Sequence, residues 1–404
     1  MKLLVFNAGS TSIKFAVFNL TAGTASRLAS GTLAPPRGAG CIHLQYGDTR
    51  FERDTRGTDI RGAVREILAL LRETVLQNDA VDMIAHRLVC GDAEQSTARV
   101  DQALLARLES CATLAPLHQK VEIELIRAAS AELGKGLPAF AAFDSHFFRE
   151  LPEAARTYAL PAELRTTFGI RRVGYHGFAH RSMLAAYEAA VKSTRRGRRI
   201  VSFQLGGGAS VAAIRDGRPL DTSMGYTPLE GLVMGTRCGD LDPGAIFACL
   251  GRGMGPDALH ALLETRSGLL GLSGTSADAR TVLHEAARGQ RDSQLAIEVY
   301  CERARKYLGA YLAVLKGADA VLFGGGIGEH QAEIRERICA GFQWCGLELD
   351  ASANLCASDL PRRISTRGSR IQVFVTPVDE EAAIAQDLLQ HANSRATEEE
   401  TAHG

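Results

Sequence analysis

At 404 residues the chain is longer than one ordinary hydrophobic core organises, so two domains are expected. An apolar fraction of 46% with 23% charged residues belongs to a globular protein, and Lys plus Arg equals Asp plus Glu at 46 each, which excludes a global positive field that would gather nucleic acid or an anionic membrane. No run of 18 apolar residues occurs, the apolar stretch at the N-terminus is too short for a signal peptide, and the nine scattered cysteines form neither a disulfide framework nor a thiolate metal site, so a reducing cytoplasm is expected.

Residues 3–20, LLVFNAGSTSIKFAVFNL, read as a strand, a small polar turn from Asn7 to Ser12, and a second strand with Lys14 near its start. Such a hairpin offers amides and hydroxyls to an anion, while Asn7 adds an oxygen ligand and Lys14 a cation. Residues 21–58 predict further short strands and loops, and the spacing of Ile60, Val64, Ile67, Leu68 and Leu71 predicts a helix over 58–77. The run VDMIAHRLVCG predicts a buried strand closing on Gly91, with Arg87 near its end, where open α/β sheets bind ligands. LAPLH at 114–118 predicts the end of a helical segment that exposes His118, followed by a separate amphipathic helix in VEIELIRAASAEL. LPAFAAFDSHF predicts a strand that delivers Asp144 at its end.

In GIRRVGYHGFAHRSM, His176 and His180 stand four apart, but no Glu follows the first His and Gly177 argues against a helix, so a zinc site is not expected. The basic run KSTRRGRR reads as a solvated connection. Residues 200–217, IVSFQLGGGASVAAIRDG, repeat the strand, turn and strand of residues 3–20, which predicts an internal duplication with one phosphate-facing hairpin in each of two similar domains. Residues 221–243, DTSMGYTPLEGLVMGTRCGDLDP, interleave Ser223, Thr227, Glu230, Thr236, Arg237, Asp240 and Asp242 with four glycines, a density of polar groups on pliable backbone that predicts a ligand-facing segment. SGLLGLSGTSADAR at 267–280 is small and polar, a helix is expected from Asp292 to Lys316, and GGGIGEH at 324–330 predicts a glycine turn between a strand and a helix starting near Gln331. IQVFVTPVDEEAAIAQDLL predicts a strand leading into the last helix, with an unstructured tail after Gln390.

Taken in order, NAGSTSIK, HRLVCG, PLH, FDSHF, GYHG, the 221–243 segment with its GTR step, GLSG, GGIGE and DEE resemble the acetate kinase family over essentially the whole chain. The resemblance implies an actin-like fold shared with sugar kinases, two duplicated α/β domains with nucleotide bound in the cleft between them, and magnesium-dependent (or manganese-dependent) reversible transfer of the ATP γ-phosphoryl group to acetate by in-line displacement. The domains expected are 1–146 with 382–404, and 147–381. By resemblance Asn7 and Glu380 are the metal ligands and Lys14 a nucleotide-binding lysine. Arg87 holds the carboxylate substrate, with Val89, Leu117, His118 and Pro228 around it. Asp144 is the essential acid, and His176 and Arg237 stabilise the transferring phosphoryl. Gln204, Leu205, Gly206, Gly207 and Gly208, then Asp278, Ala279 and Arg280, then Gly326, Ile327, Gly328, Glu329 and His330 form the nucleotide segments. A homodimer without nucleic-acid or membrane partners is also implied.

Several positions depart from the family pattern. Gln204 stands for His, Gly207 for Asn, Ala279 for a larger side chain of the adenosine site and His330 for Asn. Cys90, Asp92, Gln119 and Lys120 differ near the acyl site. Weaker discrimination between ATP and GTP is expected from Gly207 and Ala279. A propionate or butyrate kinase of the same fold is the neighbouring enzyme reading, because one methylene in an apolar site is worth only about 1 to 3 kcal/mol. An actin-like ATP-binding regulator is the reading from another class, and its mark would be loss of catalytic groups.

Overall fold

Short, nearly continuous apolar runs bounded by small polar turns give the chain the central strands of its two sheets, described here from a computed structural model. The structure describes residues 1–404 except 10–11, 22, 57–58, 78, 90–95, 111–115, 135, 193–197 and 403–404; the side chains of 110, 116–118 and 392–402 also lie outside the described residues. The chain divides into two compact units, Met1–His146 with Asp379–Gly404, and Phe147–Val378. Asp379, Glu380 and Glu381 thus belong to the first unit, although the sequence pattern puts them at the end of the second. The reason is the helix Glu380–Ala402, which packs on strands of the first sheet.

In the first unit, β1 (Lys2–Ala8), β2 (Ile13–Thr21), β3 (Thr24–Ala34), β4 (Gly40–Tyr46) and β5 (Thr49–Thr55) form an antiparallel run. β6 (Met83–Leu88) lies parallel to β1, β8 (Ala139–Phe143) lies parallel to β6, and β7 (Thr97–Arg99) closes the edge, giving the order β5-β4-β3-β2-β1-β6-β8-β7. In the second unit, β9 (Arg199–Leu205), β10 (Ala209–Arg215), β11 (Arg218–Thr222), β12 (Ala320–Gly324), β13 (Arg362–Arg363) and β14 (Gln372–Val375) take the order β11-β10-β9-β12-β14-β13. Three antiparallel strands followed by two parallel ones recur as β3-β2-β1-β6-β8 and β11-β10-β9-β12-β14. The two hairpins read from sequence are therefore the same element of one repeated topology.

Buried Leu4, Phe6, Phe15, Val17, Ile67 and Leu71 lie in the core that joins the first sheet to the helix Ile60–Leu71, and Met183, Tyr187, Ile200, Leu322 and Phe374 are part of its counterpart in the second unit. Several helices differ from the sequence pattern. PLH does not end a helix: Pro116 opens one that runs unbroken to Leu133, a first-turn position where its missing N–H costs nothing. Gly177 does not prevent a helix but begins the one that ends at Val191, with His176 as its N-cap in the left-handed region at φ 63°. Residues 325–330 and 268–273 are short helices, not open turns. The backbone after Gln390 continues the last helix to Ala402, as its Ala and Glu content favours. Among the described residues the cysteines are unbridged, no group of three or more His, Cys, Asp or Glu could hold a metal, and no helix is long and apolar enough to cross a membrane.

Candidate active-site residues

The parallel strands of the first unit bring polar side chains to one sheet edge. β1 carries Asn7 at its next-to-last position, paired with Lys14 of β2, β6 carries Arg87 one residue beyond the Phe6–His86 pair, and Asp144 follows β8 directly. Arg87 and Asp144 are both buried, 8% and 1% exposed, and Arg87 Nη2 donates to Asp144 Oδ2 at 2.8 Å. Glu380 Oε1 lies 3.7 Å from Arg87 Nε. Burial alone would depress the Arg87 guanidinium, but Asp144, Glu380 and Glu122 outweigh it and hold the cation firmly protonated. Asn7 Nδ2 donates to Glu380 Oε2 and to Glu381 Oε1, each at 2.7 Å. Burial raises the Glu381 carboxyl, and Glu380 raises it further, while Lys14 and Asn7 oppose them. Asp144 and Glu380 thus flank one guanidinium, while Glu380 and Glu381 share the Asn7 amide; a small divalent cation takes one or two such carboxylates and fills its shell with water and phosphate. Val89 is buried, and its N–H points at both Glu122 oxygens, at 3.2 and 3.1 Å. The side chains of Leu117 and His118 lie outside the described residues.

In the second unit His176 and Arg237 converge on the β9–β10 turn. A methyl group placed on Gly208 would stand 3.3 Å from His176 Nε2 and 3.6 Å from Arg237 Nη1, so the two side chains border the same small volume. Their orientation is built in. Arg237 Nε donates to Glu264 Oε2 at 2.8 Å. His176 Nδ1 is 3.0 Å from the Ser210 hydroxyl, which lies 2.9 Å from Nε2 of the fully buried His180, and His180 Nδ1 is 2.9 Å from Ser202 Oγ. The His176/His180 spacing therefore serves a hydrogen-bonded chain through hydroxyls. Gly206 N donates to Gly208 O, and Gly235 N to Gly207 O, which ties the turn to the 221–243 segment.

Much of that segment is scaffold. Glu230 is held by Arg172 and Tyr158, Asp240 takes the Gly231 N–H and the Tyr307 hydroxyl, Asp242 caps the helix Pro243–Gly251, and Ser223 accepts the Val211 N–H. Gly239, at φ +70°, is obligatory: a side chain there would meet Leu232 O at 2.5 Å. Pro228 is buried in this unit.

The three segments that the sequence resemblance assigns to nucleotide lie on separate elements of the second unit. Gln204 and Leu205 close β9, and Gly326, Ile327, Gly328, Glu329 and His330 form the short helix after β12. Glu329 Oε1 accepts the Gly325 and Val378 N–H groups, so this carboxylate shapes the turn. Asp278 caps the helix Ala279–Ala287 and pairs with exposed Arg280, while Ala279 is only 3% exposed.

Sequence pattern also hides Arg335, whose fully buried guanidinium donates to Gly328 O, Glu329 O and both oxygens of Asn354. Burial lowers it to about 10. Arg335→Met should leave four acceptors without their donor and cost about 3 kcal/mol or more, read from the urea midpoint. An unchanged midpoint would mean the helix Gly325–His330 is held by other contacts.

Two copies of one sheet topology, each presenting polar groups and glycine turns at its strand ends, define a phosphotransferase of the actin-like α/β class. The model of the acetokinase family matches residues 2–386. The chain is 41% identical to the acetate kinase of Solibacter usitatus, over 96% of this chain and 98% of that relative. It superposes on the crystal structure of Porphyromonas gingivalis acetate kinase with a TM-score of 0.83 at 33% identity, and on a propionate kinase from Francisella tularensis with 0.86 at 30%. Each alignment covers 96% of this chain and 98% of the other. The chain belongs to the acetokinase family. It is a carboxylate kinase, with ATP or ADP and a small carboxylate as its substrates.

Proposed function

We propose that the enzyme transfers the γ-phosphoryl group of ATP to acetate, reversibly and with magnesium or manganese, giving acetyl phosphate and ADP. The observation that carries this reading is the buried Arg87–Asp144 pair beside Asn7 and Glu380, a fixed cation with a carboxylate-rich neighbourhood at the sheet edge where ligands bind. The acid is ionised near neutral pH, so its oxygen attacks phosphorus without a general base. As that P–O bond forms, the bond to the ADP oxygen breaks in line, and the electron pair leaves with ADP. Arg87 orients the carboxylate, with Val89, Leu117, His118 and Pro228 assigned to the acyl end. Asp144, bound to Arg87, acts as a positioning group. His176 and Arg237 take the charge that develops on the transferring phosphoryl. Lys14, Gln204–Gly208, Asp278–Arg280 and Gly326–His330 are assigned to the nucleotide. Asn7 and Glu380 would hold the metal, which neutralises phosphate charge when bound.

The close match to a propionate kinase structure favours a second reading in which a three- or four-carbon acid is preferred. Specificity constants for acetate, propionate and butyrate decide it. Acetate should rank first, and a higher kcat/KM for a longer acid would reassign the substrate. We place the enzyme in the cytoplasm as a homodimer. The helix Pro243–Gly251 supports the dimer: it is apolar, buries none of its residues, and shows Phe247 at 70% exposure. Phe247→Glu should convert a two-chain mass in light scattering to one chain; a dimer that survives unchanged would move the interface elsewhere.

A further inference from the structure

Glu122 is a buried ionisable group of the first unit to which the reaction above gives no part. It sits in the helix Pro116–Leu133 at 1% exposure, with both carboxylate oxygens facing the Val89 N–H, and Arg87, two residues before Val89 in the chain, is the strongest charge acting on it. A carboxylate placed there does two things. It fixes the backbone just after β6, and it competes electrostatically with any anion that Arg87 receives. We propose that Glu122 is a positioning and specificity residue for the carboxylate substrate: it holds Val89 in place, and its charge sets how tightly Arg87 takes an anionic acid. The proposal rests on the assignment of Arg87 to the acid.

Among the described residues the charged groups acting on Glu122 are Arg87 from β6, which favours its anion, and Asp144 after β8, which opposes it; the Val89 amide also favours the anion. Glu380 acts on Arg87 from the last helix, and His86 is kept neutral by burial, its value lowered to about 3. Lys120, on the same helix, is exposed. Burial dominates and pushes the Glu122 carboxyl up to about 8. The fold therefore favours neutral Glu122: its contribution to stability is fully present below the ordinary value of 4.5 and is lost as pH rises through about 8. From pH 6 to 9 the substrate stays ionised, so a change in its affinity there reports the protein.

The test is KM and kcat for acetate from pH 6 to 9 in the full-length enzyme, with Glu122→Gln, Glu122→Ala and Arg87→Ala. In the native enzyme KM should climb by about tenfold as Glu122 ionises beside Arg87. Glu122→Gln, which keeps an oxygen for the Val89 amide, should flatten that climb, and the change should fall on KM for acetate and not on KM for ATP. Glu122→Ala should raise KM at every pH, because the Val89 N–H loses its acceptor. The proposal is overturned if Arg87→Ala raises KM for acetate while Glu122→Gln keeps the native pH profile and lowers only thermal stability. If Arg87→Ala itself leaves KM unchanged, the assignment of Arg87 fails, and this inference with it.

Discussion

Replacing Arg237 by Ala is expected to lower kcat by about 10³- to 10⁵-fold while changing KM for the acid little, since a cation that meets charge developing on the phosphoryl group acts on the transition state. The geometry behind this is the approach of Arg237 Nη1 and His176 Nε2 to the same position above Gly208, with the guanidinium held in plane by Glu264. The substitution also strands Glu264, which is 9% exposed, so a fall in stability of about 1 to 3 kcal/mol should accompany it. Circular dichroism at the assay temperature separates the two effects: the variant should be folded and nearly inactive. A folded variant with kcat within tenfold of native would remove Arg237 from the chemistry.

Arg87→Ala should act on the other substrate. Losing a charge-assisted contact worth about 1.5 to 3 kcal/mol raises KM for acetate by roughly 10- to 150-fold. The same change leaves Asp144 buried beside Glu380 and Glu122 without their shared cation, a loss on the order of 3 to 5 kcal/mol. Arg87 lowers the Glu122 carboxyl, so its removal lets that already raised value climb further, and the stability present at low pH is lost as pH rises through it. The variant should therefore melt closer to the native enzyme at pH 5 than at pH 8. Equal losses at both pH values, with native KM, would contradict the place given to Arg87.

Residues 3–20 and 200–217 were legible because strand periodicity and glycine turns are local signals, and both became the first hairpin of a repeated sheet. Arg87 and Asp144 are legible as strand-end residues for the same reason, whereas Asn7, expected to open the turn, lies inside β1 and pairs with Lys14. The helix Pro116–Leu133 was misread as two elements because a proline at a helix start and one at a helix end look alike without their neighbours. Glu122 left a trace: it shares a helix face with buried Gln119, Ile123 and Ile126, where a carboxylate needs a partner. Glu264 left none, since its partner Arg237 lies 27 residues away and only the folded chain joins them. The polar density of 221–243 is largely scaffold, since Glu230, Asp240 and Asp242 hold the fold, and Arg237 is the residue of the segment that comes up beside His176 at the β9–β10 turn.

The central claim is tested most directly by trapping the product. The enzyme is incubated with ATP, magnesium and acetate, hydroxylamine converts any acyl phosphate to the hydroxamate, and ADP is measured in the same sample. The account predicts one hydroxamate for each ADP, dependent on acetate. ADP released without hydroxamate, or at a rate indifferent to acetate, would mean that the chain hydrolyses nucleotide and does not phosphorylate a carboxylate.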